Sequence, residues 1–131
     1  MIKDLKDLFV PYEQSLQLKE LGFNERGFGF YELEKLAIST WMNTNSYLEI
    51  DFEEGKPRIT APIFAQAFEF FREKYNLKSW VQELTNGNFL YQIRPHNLTD
   101  YKEGEVYAFE IHREAELACL IKLIEITKNK I

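Results

Sequence analysis

The feature that most constrains the fold is the segment 114–130 near the end of the chain. It contains neither proline nor glycine, and acidic residues at its start and lysines at its end match the helix dipole. Apolar residues recur at intervals of three and four, which lines up one face of a helix. They are Leu117, Leu120, Ile121 and Ile124. The pattern predicts a helix over about 113–129 with this stripe in the core.

The same helix carries a second apolar row, which lies roughly opposite one flank of the first stripe. Its members are Ala115, Cys119, Leu123 and Ile126. A helix that is apolar over more than half of its circumference must be covered on two sides. Either residues 1–60 cover this row or another subunit does. In the second case the row is a candidate interface for a protein partner or for a second copy of the chain in a dimer.

A second core helix is predicted over about 61–75. Thr60 is a suitable N-cap and Pro62 fits the first turn. The aromatic residues expected at the centre of the fold are Phe64, Phe68 and Phe71. Asn76 is a reasonable terminator.

Two strands at 79–84 and 89–93 flank Thr85-Asn86-Gly87-Asn88, and the Asn-Gly pair in this segment predicts a hairpin with a type I′ turn. Alternating residues at 105–111 predict a third strand ahead of the terminal helix. Residues 61–131 therefore form a helix–strand–strand–strand–helix unit.

The N-terminal residues 1–60 contribute a helix and strands. Pro11 starts a helix that Gly22 ends, and strands are predicted near 28–32 and 47–52, whereas 33–37 suits either state. We expect one α+β domain over 1–131. Its sheet is mainly antiparallel, with the helices at about 61–75 and 113–129 packed on one face.

Charge and cysteine content limit the binding partners and the cellular compartment that we expect. A formal net charge of −5 removes the simplest electrostatic reason to bind nucleic acid or an anionic membrane. Cys119 is the only cysteine, which excludes an intramolecular disulfide and suits the reducing cytoplasm. The charged start of the chain is unlike a signal peptide, and no apolar run approaches the roughly 18 residues of a membrane span.

Residues that carry chemistry do not form a catalytic pattern. His96, His112 and Cys119 lack the spacing of a helical zinc site, so neither a metal nor a cofactor is predicted. Acidic residues at 51–54 and 100–105 are expected to be solvated loop charge, and Gly27-Phe28-Gly29 lacks the rest of a phosphate loop. We therefore expect a non-enzymatic binding or accessory protein.

Recognition of nucleic acid is the alternative. It would use aromatic side chains of a sheet face, among them Trp80, together with a local basic patch. The candidate residues are Lys78, Arg94, Lys102 and Tyr91. The competing interpretation is that the strand aromatics belong to the core. A hydrolase that uses the loop carboxylates is a third hypothesis, and it requires a divalent ion or a deep polar pocket.

Two family resemblances follow from these segments. The order of elements in 61–131 resembles the double-stranded-RNA-binding domain, as does the small-residue rhythm of 113–120. Where that family has phosphate-binding lysines, this chain has His112, Arg113, Glu114 and Glu116.

A closer resemblance is to small uncharacterised proteins encoded by bacteriophages and prophages of gut bacteria. The blocks that carry it are Val10-Pro11-Tyr12-Glu13, 18–23, Ala61-Pro62, Gln66-Ala67-Phe68, 71–75, 114–120 and Leu123-Ile124. The resemblance supplies no activity, because that group has no established function. A small acidic chain without a catalytic constellation and with a spare apolar helix face suits a phage-type accessory protein that occupies a partner's surface, and as a hypothesis it modulates a host protein or assembles with itself.

Overall fold

The structure, a computed structural model, describes residues 5–25, 27–32, 34–38, 58–94 and 109–129. After a 3₁₀ turn at Leu5–Leu8, the helices and strands are α1 (Tyr12–Glu20), β1 (Gly29–Glu32), β2 (Lys35–Ile38), β3 (Arg58–Thr60), α2 (Phe64–Lys74), β4 (Lys78–Glu83), β5 (Phe89–Arg94) and α3 (His112–Asn129). The predicted α+β class and the antiparallel pairing are confirmed. In the described part of the chain the strands form two small sheets.

The chain divides into two compact units, Met1–Ala67 and Phe68–Ile131. The division falls inside α2, whose first turn belongs to the first unit and whose remainder belongs to the second. The sequence-based expectation of one domain stays a prediction.

The first unit is built on the antiparallel sheet β2-β1-β3. Its buried core comprises Phe9, Tyr31, Ile59 and Ala61. The strand predicted near 28–32 is confirmed as β1, and the ambiguous segment 33–37 largely becomes β2, which pairs with β1 from Glu32↔Lys35 to Gly29↔Ile38. The strand predicted at 47–52 lies outside the described residues.

Helix α1 ends at the glycine that the sequence indicated. Gly22 has a positive φ of 104°. The Phe23 N–H donates to the Leu18 carbonyl at 2.9 Å, and the Gly22 N–H donates to Lys19 at 3.0 Å, the bond pair of a Schellman motif. Leu18 and Phe23 are both buried, so their side chains supply the apolar part of this cap.

Thr60 is not the cap of α2, which corrects the sequence-based prediction. Thr60 pairs with Phe30 in the sheet, and the helix begins four residues later, at Phe64. The Ile63 N–H donates to Gln66 Oε1 at 3.1 Å. A Gln three residues into a helix that satisfies the first free amide is half of a capping box, and here it acts without a Ser or Thr partner.

The aromatic core of α2 also differs in part from the expectation. Phe64 and Phe71 are buried, but Phe68 is only half-buried, and Phe70 takes the buried position instead. The Phe70 and Phe71 rings meet edge to face, with centroids 5.3 Å apart. The helix ends near Asn76, as predicted, because that residue has a φ of 54°. The Leu77 N–H then donates back to the Phe71 carbonyl at 3.0 Å.

The second unit places α3 against the β4–β5 hairpin. Phe109 forms an antiparallel bridge with Phe89, so part of the predicted third strand does pair with β5. Glu110 and Ile111 lie outside any strand, and residues 105–108 lie outside the described part of the chain.

The hairpin is confirmed, but its turn is not type I′. Only Gly87 among the turn residues has a positive φ, at 88°, whereas a type I′ turn also needs one at Asn86. The Gly87 N–H donates to the Leu84 carbonyl at 2.9 Å, which closes a turn centred on Thr85 and Asn86. Asn86 Oδ1 then accepts the Asn88 N–H at 3.0 Å. The connection is therefore longer than two residues.

Candidate functional site

The second apolar row of α3 is buried by the chain itself. Ala115, Cys119 and Leu123 have no exposed surface, and Ile126 is half-buried. These residues were predicted as a candidate interface. The structure corrects that role for Ala115, Cys119 and Leu123, because a partner cannot contact side chains that have no exposed surface, and Ile126 alone keeps part of its surface.

The stripe predicted as the core of α3 is only partly buried. Leu120 and Ile124 are in the core, but Leu117 is half-buried and Ile121 is 44% exposed. The buried arc thus lies across the predicted stripe and the second row. The one polar residue in this arc, Thr127, donates its hydroxyl to the Leu123 carbonyl at 2.8 Å.

The histidine and cysteine of α3 do not form a site. Cys119 is fully buried, whereas the His112 side chain is 53% exposed. His112 Nδ1 lies 3.3 Å from Glu116 Oε1, which also accepts a 2.6 Å bond from Arg113. Within the described ranges no group of three or more His, Cys, Asp or Glu side chains converges as a metal site would require. His96 and the acidic segments 51–54 and 100–105 lie outside those ranges.

The segment Gly27-Phe28-Gly29 has a packing role. A β-carbon at Gly29 would lie 2.8 Å from the Ala37 carbonyl oxygen and 3.0 Å from the Phe9 ring. Gly29 therefore allows β1 and β2 to approach each other beside Phe9.

One face of the β4–β5 hairpin gathers residues from the predicted nucleic-acid set. The register pairs Lys78 with Arg94 and Trp80 with Gln92. Directly opposed residues share a face of a sheet, and alternate residues of a strand point the same way. We call this surface the open face. Its residues are Lys78, Trp80, Gln82, Gln92 and Arg94, together with Leu90, which is buried.

Two side-chain contacts confirm that these residues share a face. The Arg94 guanidinium carbon lies 5.3 Å from the Trp80 ring centroid, within the range of a cation–π interaction. Gln92 donates its amide to Gln82 Oε1 at 3.0 Å. Trp80 nevertheless keeps 40% of its surface exposed, so part of the indole is available to a ligand.

The open face is positively charged although the chain as a whole is acidic. Lys78 lies directly opposite Arg94, and like charges in that position destabilise a hairpin. Across the described strands β4 and β5, no carboxylate shares this face, because Glu83 pairs with Phe89 on the opposite side. The positive potentials of the two side chains therefore add up. A ligand with negative charge would relieve the repulsion between them.

The opposite face of the hairpin is directed towards the start of α3. Phe89 contacts the His112 ring with centroids 5.2 Å apart, and Tyr91 lies 6.5 Å from Phe109. Tyr91 was predicted to act with the basic residues, and the structure corrects this because Tyr91 is on the other side of the sheet from them. Lys102, the remaining member of the predicted set, lies outside the described residues.

Sequence reasoning missed Gln82 and Gln92. The signal that finds them is the register of the hairpin, since only the observed pairing places both amides beside Trp80 and Arg94. Leu90, opposite Gln82, is buried and marks the apolar end of this face.

Comparison with known proteins adds no relative to this picture. The chain matches no protein-family model, no curated protein and no solved structure. Among the described helices, none has the length and apolar character that crossing a bilayer requires.

Proposed function

We propose that this protein is a non-enzymatic accessory module that binds a macromolecular partner through the open face of the β4–β5 hairpin. The observation that carries the proposal is the exposed Trp80 ring with Arg94 packed against it and Lys78 alongside.

The chemistry of the open face suits recognition. Trp and Arg are the residue types that most often dominate binding energy at interfaces, because each offers a large contact area together with hydrogen-bond donors. Amide groups such as those of Gln82 and Gln92 both donate and accept hydrogen bonds. Stacking, hydrogen bonding and charge pairing hold a partner in place without breaking its bonds.

The placement of the two cations supports the same proposal. A directly opposed pair of like charges destabilises a hairpin, and Lys78 and Arg94 hold that position. Local rules of stability are commonly broken where residues serve a function. An anionic partner would convert this repulsion into a favourable interaction.

The resemblance to phage and prophage proteins gives the proposed module a setting. Together with the single cysteine, which suits the reducing cytoplasm, it supports the proposal of a small cytoplasmic accessory protein that acts by occupying a host macromolecule. The buried α3 row is not part of this proposal, which rests on the hairpin alone.

Affinity capture tests the proposal. The protein is immobilised, exposed to bacterial extract and washed, and the retained protein and nucleic acid are measured separately. We expect the wild type to retain one of these two classes of macromolecule specifically. The double variant K78E/R94E is expected to lose this retention. The matched control is K19E/K35E, which changes the net charge equally on exposed residues of the first unit. Equal retention by wild type and K78E/R94E would contradict the proposal, provided circular dichroism shows that the variants are folded.

A further inference from the structure

We propose that the partner of the open face is a single-stranded nucleic acid, with a base stacked on Trp80 and phosphates bound by Lys78 and Arg94. This inference rests on the proposed function and names the partner class for the same surface.

The Trp80–Arg94 pair provides a stacking platform. Proteins bind unpaired bases by stacking them on aromatic rings and on guanidinium planes. Trp80 is 40% exposed, and Arg94 lies at 5.3 Å from its ring centroid. A base can therefore contact the free part of the indole while Arg94 supports the ring and contributes charge.

The flanking charges match a phosphate backbone. Lys78 and Arg94 are exposed and face each other across the two strands, and Trp80 lies on the same face two residues along β4. A strand of nucleic acid that places one base on Trp80 brings its adjoining phosphates towards these two cations. The described strands put no carboxylate on this face to repel them.

A single strand fits the open face better than a duplex. Stacking on Trp80 needs a base whose plane is free, and bases within a duplex are already stacked on each other. Duplex DNA also carries one negative charge per roughly 1.7 Å of its axis, so a chain of net charge −5 is repelled more strongly by a duplex than by a single strand.

The two amides favour binding that tolerates many sequences. Gln82 and Gln92 already bond to each other at 3.0 Å, and each amide keeps further donor and acceptor capacity. Such groups adapt to different base edges. The selectivity of the face therefore comes from the unpaired state of the strand more than from its sequence.

Fluorescence anisotropy with a labelled oligothymidylate of about 12 nucleotides tests the inference. A matching labelled duplex and an acidic peptide serve as competing ligands. We expect the single strand to bind more tightly than either. We also expect the logarithm of its binding constant to fall with the logarithm of salt concentration with a slope of about −1.4, the value for two phosphate contacts on a single strand.

Variants of the open face separate stacking from charge. W80A is expected to weaken binding by about 5- to 150-fold, the range for loss of one stacked base, and W80F is expected to restore part of the loss. K78Q and R94Q should each reduce the salt slope to about −0.7, and R94K should keep it near −1.4. The matched control K19Q, in the first unit, should leave both affinity and slope unchanged.

Three results would overturn the inference: tighter binding of the duplex or of the acidic peptide, a salt slope that K78Q and R94Q leave unchanged, or no binding of the single strand. If the oligonucleotide fails to bind while K78E/R94E still abolishes capture of protein from extract, this inference fails and the proposed function stands. If K78E/R94E changes neither assay, both are wrong.

Discussion

At the scale of single residues, the carbonyl of Val10 shows how the first unit holds its N-terminal segment. It accepts a 2.7 Å hydrogen bond from the Tyr31 hydroxyl and a 3.1 Å bond from Ser15 Oγ. Ser15 is buried at 1% exposure and Tyr31 at 7%. Two buried donors thus share one acceptor, which links α1 to the middle of the sheet.

This sharing predicts non-additive mutations. Y31F and S15A should each cost about 0.5–1.5 kcal/mol of unfolding free energy, because the other donor still satisfies the carbonyl. The double variant should cost more than the sum, since it leaves a buried carbonyl without a partner. Urea denaturation of the four proteins measures this coupling, and strict additivity would show that the two bonds act independently.

Tyr31 also predicts a response to alkaline pH. Burial raises the pKa of the Tyr31 phenol above its ordinary value of 10.0. Well below pH 10 the phenol is neutral in both states and contributes no pH dependence. Above pH 10 the unfolded chain releases this proton before the folded chain does, so unfolding becomes easier as pH rises through the folded-state pKa. Denaturation between pH 9 and about 11 should show a shallower loss of stability for Y31F than for wild type.

Gly29 predicts a steric effect with a built-in control. G29A places a β-carbon 2.8 Å from the Ala37 carbonyl oxygen, so strands β1 and β2 must shift. We expect a loss of about 1–3 kcal/mol, typical of overpacking. At Gly27 the nearest atom is the side-chain oxygen Gln66 Oε1 at 3.2 Å, which is farther than the backbone oxygen at Gly29, and G27A should cost less. Thermal unfolding ranks the two variants, and equal costs would contradict this account.

At the scale of elements, the hairpin shows what the sequence could and could not predict. Asn86-Gly87 correctly located the turn. A two-residue type I′ turn, however, would pair Glu83 with Leu90, whereas the observed longer connection pairs Glu83 with Phe89. A slip of one residue moves side chains to the other face of a strand. The register of the hairpin, and with it the set of residues on the open face, could therefore not be predicted from the sequence pattern alone.

For helix α3, the sequence predicted the helix itself but not which of its sides is buried. Its existence and bounds followed from local periodicity, but the buried side depended on where the hairpin packs. When apolar residues cover most of a helix, periodicity leaves several faces equally suitable for the core. The sequence pattern therefore placed Ile121 in the core stripe and Leu123 in the second apolar row. In the structure Leu123 is fully buried and Ile121 is exposed.

This reversal predicts opposite outcomes for two similar truncations. L123A should cost about 2–5 kcal/mol of unfolding free energy, because it leaves a cavity at a fully buried position. I121A should stay within about 0.5 kcal/mol of wild type, since Ile121 is 44% exposed. Guanidinium denaturation distinguishes them. A larger cost for I121A would mean that Ile121, and not Leu123, lies in the core.

At the scale of the whole molecule, α2 connects the two compact units as one continuous helix. Each unit has its own antiparallel sheet, so each has separate hydrogen bonds to lose on unfolding. Helix formation is cooperative along the chain. Destabilisation of one unit should therefore first reduce the stability of α2, the helix to which both units contribute residues.

Native-state hydrogen exchange checks this expectation and, with it, the single-domain prediction. G29A should speed exchange in β1 and β2 and in the amides of α2 on both sides of the Ala67–Phe68 division, with a smaller effect in β4 and β5. L123A should instead speed exchange mainly in the hairpin strands β4 and β5, with a smaller effect in β1 and β2. A uniform increase throughout the chain for both variants would show one cooperative domain.

The burial of Cys119 has a practical consequence for such experiments. It is the chain's only thiol and has no exposed surface. A cysteine introduced at Gly87, where a β-carbon meets no atom within 4 Å, would be the reactive one in the folded protein. The positive φ there adds a modest strain. Site-selective conjugation of a dye at the hairpin tip thus needs no removal of the native sulfur.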